Sequence, residues 1–386
     1  MTATLTSPGR RRQPAPRYLA AIASGVFLSA AFPPIGARWL VFVALVPLFW
    51  ACTSPRLPIG PSPAEAPDGC GGPPIAARGG ASPAPRTRFL LGFTCAIVFF
   101  LLLLHWILFL SNEEITVPGL MFPALLFMAA YLAVFFGAAA ALAGWLERGA
   151  GVSGAAMLAV TWPLLDHLRS IGQLAFPWGS LGYALAPHPA ALQMASLAGY
   201  WVLPFWILSV NALLAAALGS WEARLAAALP GEGRARCPGR VLPRIAAAVA
   251  VAVVPWLGGA LYLAGHPENG HPAVAGTASE RPAHLRVVLV QPNTTREIKW
   301  RPGFEHMVID DLLVRTETAA RTEADLIIWP ETSAPLVLTW RPELERKVSQ
   351  TVERLQTWVL VGTLDAIQRP GGVHEAYNAA ILYNPD

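Results

Sequence analysis

Between Leu120 and Leu146 the chain carries no charged side chain. A helix crosses the hydrocarbon core of a bilayer with about 20 apolar residues, so this run is long enough to span. Six further apolar runs lie at about 18–35, 39–52, 89–110, 154–168, 197–218 and 245–264. The first two are short for spanning helices, and the set suits a core crossed by about 20 residues, with some runs tilted and some short. Of the whole chain, 54% is hydrophobic and 13% charged, where a soluble domain carries about 25% charge. This excludes a wholly soluble enzyme and implies a membrane α-helical bundle with seven transmembrane helices. The first run is followed by Phe32-Pro33-Pro34 rather than a small-residue cleavage site, so it reads as a retained anchor.

The net charge of +4 would permit a nucleic-acid partner. The arginines, however, sit in short clusters between apolar runs, and membrane topology accounts for them; no nucleic acid is expected. Arg10 to Arg12, then Arg56, Arg78, Arg86 and Arg88, then Arg148, then Arg224 to Arg244 occupy alternate connections. The intervening connections hold few positive charges. The arginine-rich connections are therefore expected in the cytoplasm, and everything after about residue 265 on the outer face. The stretch 53–88, rich in Pro, Gly, Ala and Ser, reads as a disordered loop. Cys52, Cys70, Cys95 and Cys237 have no metal-ligand spacing, so neither a metal site nor a disulfide framework is indicated.

From residue 266 the composition becomes that of a soluble domain. Strands are predicted at about 285–290, 358–364 and 377–383, with another in the stretch 325–335. Phe304, Val308 and Leu312 predict one helix. Pro342 at a first turn, with Leu344, Val348, Val352 and Leu355 on one face, predicts a second. Strands alternating with helices indicate an α/β sheet. The division is thus 1–265 for a membrane domain and 266–386 for an outer domain. At about 100 residues the latter is small for a domain, and the chain is expected to be C-terminally incomplete.

The stretch 325–335 reads Asp-Leu-Ile-Ile-Trp-Pro-Glu-Thr-Ser-Ala-Pro. Leu326, Ile327 and Ile328 suit a strand buried on both faces. Pro330 lacks an N–H and should end it. Glu331 then stands past the carboxyl end of the strand, where open α/β sheets bind ligands. Desolvation by Trp329 and Pro330 would favour its use as a general base; the plain alternative is a surface glutamate in a loop.

The order of these parts resembles apolipoprotein N-acyltransferase, a membrane acyltransferase of the nitrilase superfamily. The resemblance rests on Phe32-Pro33-Pro34, the 42–48 stretch, His105-Trp106, Leu168-Arg169-Ser170, Phe176-Pro177-Trp178 with Gly182-Tyr183, and Asn211-Ala212. In the outer domain it rests on Val290-Gln291-Pro292-Asn293, Lys299-Trp300, Trp329-Pro330-Glu331-Thr332 and Tyr377-Asn378. It implies that residues 266–386 are the N-terminal part of a periplasmic nitrilase-like (α-β-β-α) domain, with an eighth membrane helix beyond residue 386. It further implies transfer of a fatty acyl chain from a phospholipid to the N-terminal amine of the S-diacylglyceryl-cysteine of an apolipoprotein. The route is a cysteine thioester, with no metal or diffusible cofactor, in the bacterial inner membrane.

The family's catalytic trio is Glu, Lys and Cys. Glu331 matches the first. Lys299 and Lys347, the only lysines here, precede the Tyr-Asn strand that the family lysine follows, and none of the four cysteines lies in the outer domain. The 386-residue chain alone is therefore expected to be inactive. Trp300 matches a family tryptophan near the substrate entrance, as a lipid contact or as an interfacial anchor. His105 and Trp106 are expected to pack or to lie at the interface. Asp166 and Arg169, three apart, either pair with each other or serve function. Phe176-Pro177-Trp178 is expected to form an aromatic-belt turn, and Asn378 to satisfy backbone groups. The competing readings are a catalytically inactive membrane protein that binds lipids or a partner, and a nitrilase-fold transferase acting on a different amine.

Overall fold

The structure, a computed structural model, describes residues 15–54, 82–109, 119–228, 241–266, 285–368 and 374–386. They fall into two compact units divided after residue 271. The arginine clusters at 10–12 and 234–240, Arg56, Arg78 and most of the 53–88 loop lie outside the described residues.

The first unit is helical throughout. Its α-helices are α1 Ala15–Ala30, α2 Val46–Thr53, α3 Pro85–Leu103, α4 Met121–Ala150, α5 Gly154–Leu168, α6 Pro189–Leu192, α7 Ala195–Ala198, α8 Val202–Ala228 and α9 Val241–Gly265. Among the described residues four stretches are long and apolar enough to cross a membrane: Pro85–Phe109, Met121–Ala150, Val202–Leu225 and Val241–Gly265. α1 and α5, with 16 and 15 residues, reach about 24 and 22 Å at 1.5 Å per residue. Both fall short of the roughly 30 Å hydrocarbon core. The outward faces stay apolar: Phe122, Phe127, Val254 and Leu261 are all exposed, which suits lipid and not water.

The expected crossing at 39–52 is not one regular helix. It divides into a 3-10 helix Arg38–Phe42 and then α2, with Val43 at φ −129 between them. The break survives in an apolar setting because side chains satisfy it. Asn211 of α8 accepts from the Leu45 N–H at 2.9 Å and donates to the Val41 carbonyl at 3.0 Å. Ser24 of α1 accepts from the Leu48 N–H at 2.9 Å. A second departure is at Pro85, where α3 begins inside the expected loop and buries Arg88.

Small residues let the helices approach. A Cβ on Gly92 of α3 would stand 2.7 Å from the Phe136 carbonyl oxygen of α4, closer than any real contact, so the α3–α4 crossing requires glycine there. Charges fix both ends of α5. Arg88 pairs with Glu147 of α4, whose other oxygen accepts from the Gly154 N–H at 3.0 Å. At the far end Arg169 donates from Nε to Asp166 at 2.7 Å. It also donates to the Phe176 carbonyl and lies over the rings of Phe100 and Phe136 at 5.5 and 5.3 Å. Ser180 donates to the same carboxylate. Buried charges persist only when paired and hydrogen-bonded in this way.

The second unit is a mixed sheet with helices on one face. Its strands are β1 Val287–Leu289, β2 Leu326–Ile328, β3 Ala334–Val337, β4 Trp358–Gln368 and β5 His374–Tyr383. Its helices are α10 Arg296–Lys299, α11 Glu305–Ala320 and α12 Pro342–Leu355. β1, β2 and β4 pair in parallel, and β5 runs antiparallel along one edge of β4 from Val359 to Gln368. β2 and β3 therefore share the other edge of β4. The predicted periods place α11 and α12 well: Val308, Leu312, Leu344, Val348 and Val352 are buried with Ile327 and Val359 in one core. The opposite face of the sheet is open, with Val287, Leu289, Trp358 and Leu382 exposed on it. β3 has no counterpart among the predicted strands; Pro335 within it argues against a strand, and an edge position tolerates it.

Candidate functional site

Glu331 stands in an interruption of the strand edge formed by β2 and β3. From Ile328 to Ala334 the chain advances six positions while β4 advances three, from Leu360 to Thr363. The surplus residues loop out. The Trp329 N–H still bonds the Leu360 carbonyl at 2.8 Å, and a turn closes from the Ser333 N–H to the Pro330 carbonyl at 3.2 Å. Thr332 adopts φ 46, a strained conformation for a β-branched residue. The Ser333 hydroxyl donates to the Gly362 carbonyl at 3.1 Å. Gly362 is required beneath the turn: a Cβ there would stand 2.0 Å from the Pro330 oxygen and 3.1 Å from the Glu331 Cα.

The two sides of this turn face opposite ways. Trp329 is buried under α11, its indole N–H donating to Thr316 at 2.8 Å. Glu331 is exposed, so the expected desolvation by Trp329 is not found. Its carboxylate is held from the open face. Asn378 of β5 opposes Leu364 of β4, on the same face as Leu360 and Leu382 by strand alternation. Its side-chain amide donates to Glu331 Oε1 at 2.7 Å. Asn378 thus contacts the carboxylate, where sequence reasoning expected it to satisfy backbone groups. Oε2 has no partner among the described residues, so one oxygen is fixed and the other is free to accept a proton.

Lys299, at the end of α10, donates from Nζ to the Thr332 hydroxyl at 3.0 Å. The same ammonium lies over the Trp300 ring at 5.5 Å, and Trp300 is half exposed. The structure therefore brings Glu331, Thr332, Asn378, Lys299 and Trp300 to one place. Sequence reasoning singled out Glu331 and Trp300 and set Lys299 aside; the only available signal for Lys299 was its position just before Trp300. Among the described residues no group of three metal-ligating side chains converges.

The motifs of the first unit form two groups joined at Phe176, whose carbonyl accepts from Arg169. Trp178 stacks with Phe176 at 5.6 Å and meets Trp106 at 5.3 Å, while His105 is exposed with Nδ1 2.7 Å from the Leu102 carbonyl oxygen. Asp166 and Arg169 pair with each other, buried. Cys52 and Cys95 are buried free thiols of this unit; Cys70 and Cys237 lie outside the described residues.

Residues 73–213 match the family described as the apolipoprotein N-acyltransferase N-terminal domain. Curated relatives extend the similarity. A protein named apolipoprotein N-acyltransferase from Geobacter metallireducens is 27% identical over 95% of this chain and 61% of its own length. One of the same name from Gloeobacter violaceus is 28% identical over 85% of this chain and 54% of its own. Another, from Chromobacterium violaceum, is 31% identical over 66% and 43%. The chain spans about three-fifths of the length of the first of these relatives. Four membrane-length helices among the described residues, together with bacterial relatives, support a bacterial membrane protein. The motif resemblance therefore holds: the chain is a sequence relative of proteins named apolipoprotein N-acyltransferase, and residues 73–213 match the N-terminal domain of that family.

Proposed function

We propose that this protein takes part in N-acylation of lipoproteins, with a phospholipid as acyl donor, a diacylated apolipoprotein as acceptor and Glu331 as general base. The observation that supports this most is the hold on Glu331. Its turn is anchored to β4, Asn378 fixes Oε1 at 2.7 Å, and Oε2 is free. A base needs that combination of fixed position and open acceptor. In the reaction the base would deprotonate a thiol, since the thiolate is the nucleophile, and later take a proton from the attacking amine.

The thiol and the lysine of the family trio have no match in residues 266–386, which hold no cysteine. The proposal therefore gives this chain the base and predicts no transfer by the 386 residues alone. It also places the second unit as part of a nitrilase-like domain in the periplasm of an inner-membrane protein. α1, the broken 38–53 segment and α5 then complete seven crossings, their shortness met by local thinning of the bilayer or by snorkelling of flanking residues.

The test uses protein purified from the membranes of its native host, given a phospholipid with a labelled acyl chain and a diacylated lipopeptide. Glu331→Gln keeps the size of the side chain and removes the base. Transfer should fall about 10²- to 10⁴-fold. Undiminished transfer by Glu331→Gln would overturn the assignment.

A further inference from the structure

Lys299 differs from several other cations of the second unit. Lys347 pairs with Asp310 and Arg354 with Glu317. Lys299 has no carboxylate within ion-pair distance among the described residues, although Glu331 is the chain neighbour of the Thr332 that it touches. Its ammonium has three N–H donors, and one is taken by Thr332 at 3.0 Å. The Trp300 ring, 5.5 Å away, covers it from one side. Two residues on, Arg301 repeats the arrangement, with its guanidinium 4.9 Å from the Phe304 ring and no ion pair among the described residues. A half-buried cation without a counter-charge is unfavourable. The site is completed when an anion arrives.

We propose that Lys299 binds a phosphoryl oxygen of the ligand, and that this ligand is the phosphodiester headgroup of a phospholipid. The inference rests on the reading of the acyl donor as a phospholipid and assigns the residue that grips it. A lysine ammonium is a point charge suited to phosphate. Trp300 offers an apolar body beside that charge, which fits a molecule whose phosphate adjoins an apolar tail. The location is consistent with Glu331, since Thr332 links the two: a headgroup on Lys299 would lie beside the turn that carries the base. Inorganic phosphate shares the charged chemistry but lacks the tail.

The test is calorimetric titration of the full chain in neutral detergent. The probes are dihexanoyl phosphatidylglycerol, dihexanoylglycerol and inorganic phosphate. Lys299→Met should weaken phosphatidylglycerol binding about fivefold, the share of one basic residue at an anionic lipid surface, and leave dihexanoylglycerol binding unchanged. Lys299→Arg should bind as the parent does, which shows that charge and not a local misfold is being read. Equal binding of phosphatidylglycerol by the parent and Lys299→Met overturns the proposal. So does an equal loss for dihexanoylglycerol, because Lys299 would then act on the apolar part. Inorganic phosphate binding as tightly as the lipid overturns the choice of headgroup. Binding is read without transfer, so a failed Glu331 test alongside retained Lys299-dependent binding would remove the proposed reaction and leave this site standing.

Discussion

Asn378 donates its side-chain amide to Glu331 Oε1 at 2.7 Å, joining β5 to a turn 47 positions earlier in the chain. Asn378 is itself exposed, so removing it should cost the fold little. Asn378→Ala is expected to leave the unfolding free energy of the second unit, measured in urea, within a few tenths of a kcal/mol. Transfer by the native-host protein should nevertheless fall about tenfold, because one released carboxylate loses a single orienting bond worth about 1.4 kcal/mol. A rate equal to the parent's would show that the amide does not orient the base.

Gly362 offers a sharper structural test. A methyl group there would collide with the Pro330 carbonyl and force the Glu331 turn off β4. Gly362→Ala should destabilise the second unit by about 1–3 kcal/mol, measured by urea unfolding. It should also raise amide exchange at Ser333, whose N–H closes the turn on Pro330. An unchanged midpoint together with unchanged exchange would contradict the described close approach.

Tyr383 links the sheet to pH. Burial first, and Glu345 second, push its phenol up to about 12. An unfolded tyrosine titrates near 10. Between these values the unfolded chain has lost a proton that the folded chain keeps, so stability falls as pH rises from about 10 to about 12. Below pH 10 both states are protonated and Tyr383 contributes no slope. Tyr383→Phe should flatten that alkaline decline in urea midpoints at pH 9, 10, 11 and 12. A decline as steep in Tyr383→Phe as in the parent would assign it to other groups.

Topology separates two counts of crossings. Four crossings from a cytoplasmic start return the second unit to the cytoplasm, and seven deliver it outside. An alkaline phosphatase fused after Asp386, which is active only when exported, is expected to be active, and a cysteine placed at Arg224 to react only from the cytoplasmic side. An inactive phosphatase with an active cytoplasmic reporter at the same site would favour the even count.

The parts legible in the sequence were those set by local periodicity. α12 follows from Leu344, Val348 and Val352 recurring on one face, and those residues are buried against the sheet. The place of Glu331 past a strand followed from Ile327 and Pro330, although β2 is buried on one face and not on both as its apolar run suggests. Its surroundings did not, because Trp329 and Glu331 are neighbours in sequence yet face opposite sides of the sheet. Only strand register shows that Asn378 reaches the carboxylate. β3 was hidden by Pro335, whose tolerance depends on lying at an edge. The break before α2 has a local mark in Pro47, which falls in the first turn of α2, but the partner that satisfies the opened backbone is 166 residues away.

That separation has a consequence for biogenesis. The ribosome completes the 38–53 segment long before it reaches Asn211, so the Leu45 N–H and the Val41 carbonyl have no lasting partner when they first emerge. Bare peptide groups are not tolerated in lipid. Until α8 arrives, the segment can wait in the aqueous channel of the insertion machinery, at the water boundary, or as a transient helix kinked at Pro47 that rearranges later. Early release into lipid would trap that helix, and α8 would then carry an amide with nothing to bind. The amide of Asn211 makes the order of synthesis part of how the first unit reaches its final shape.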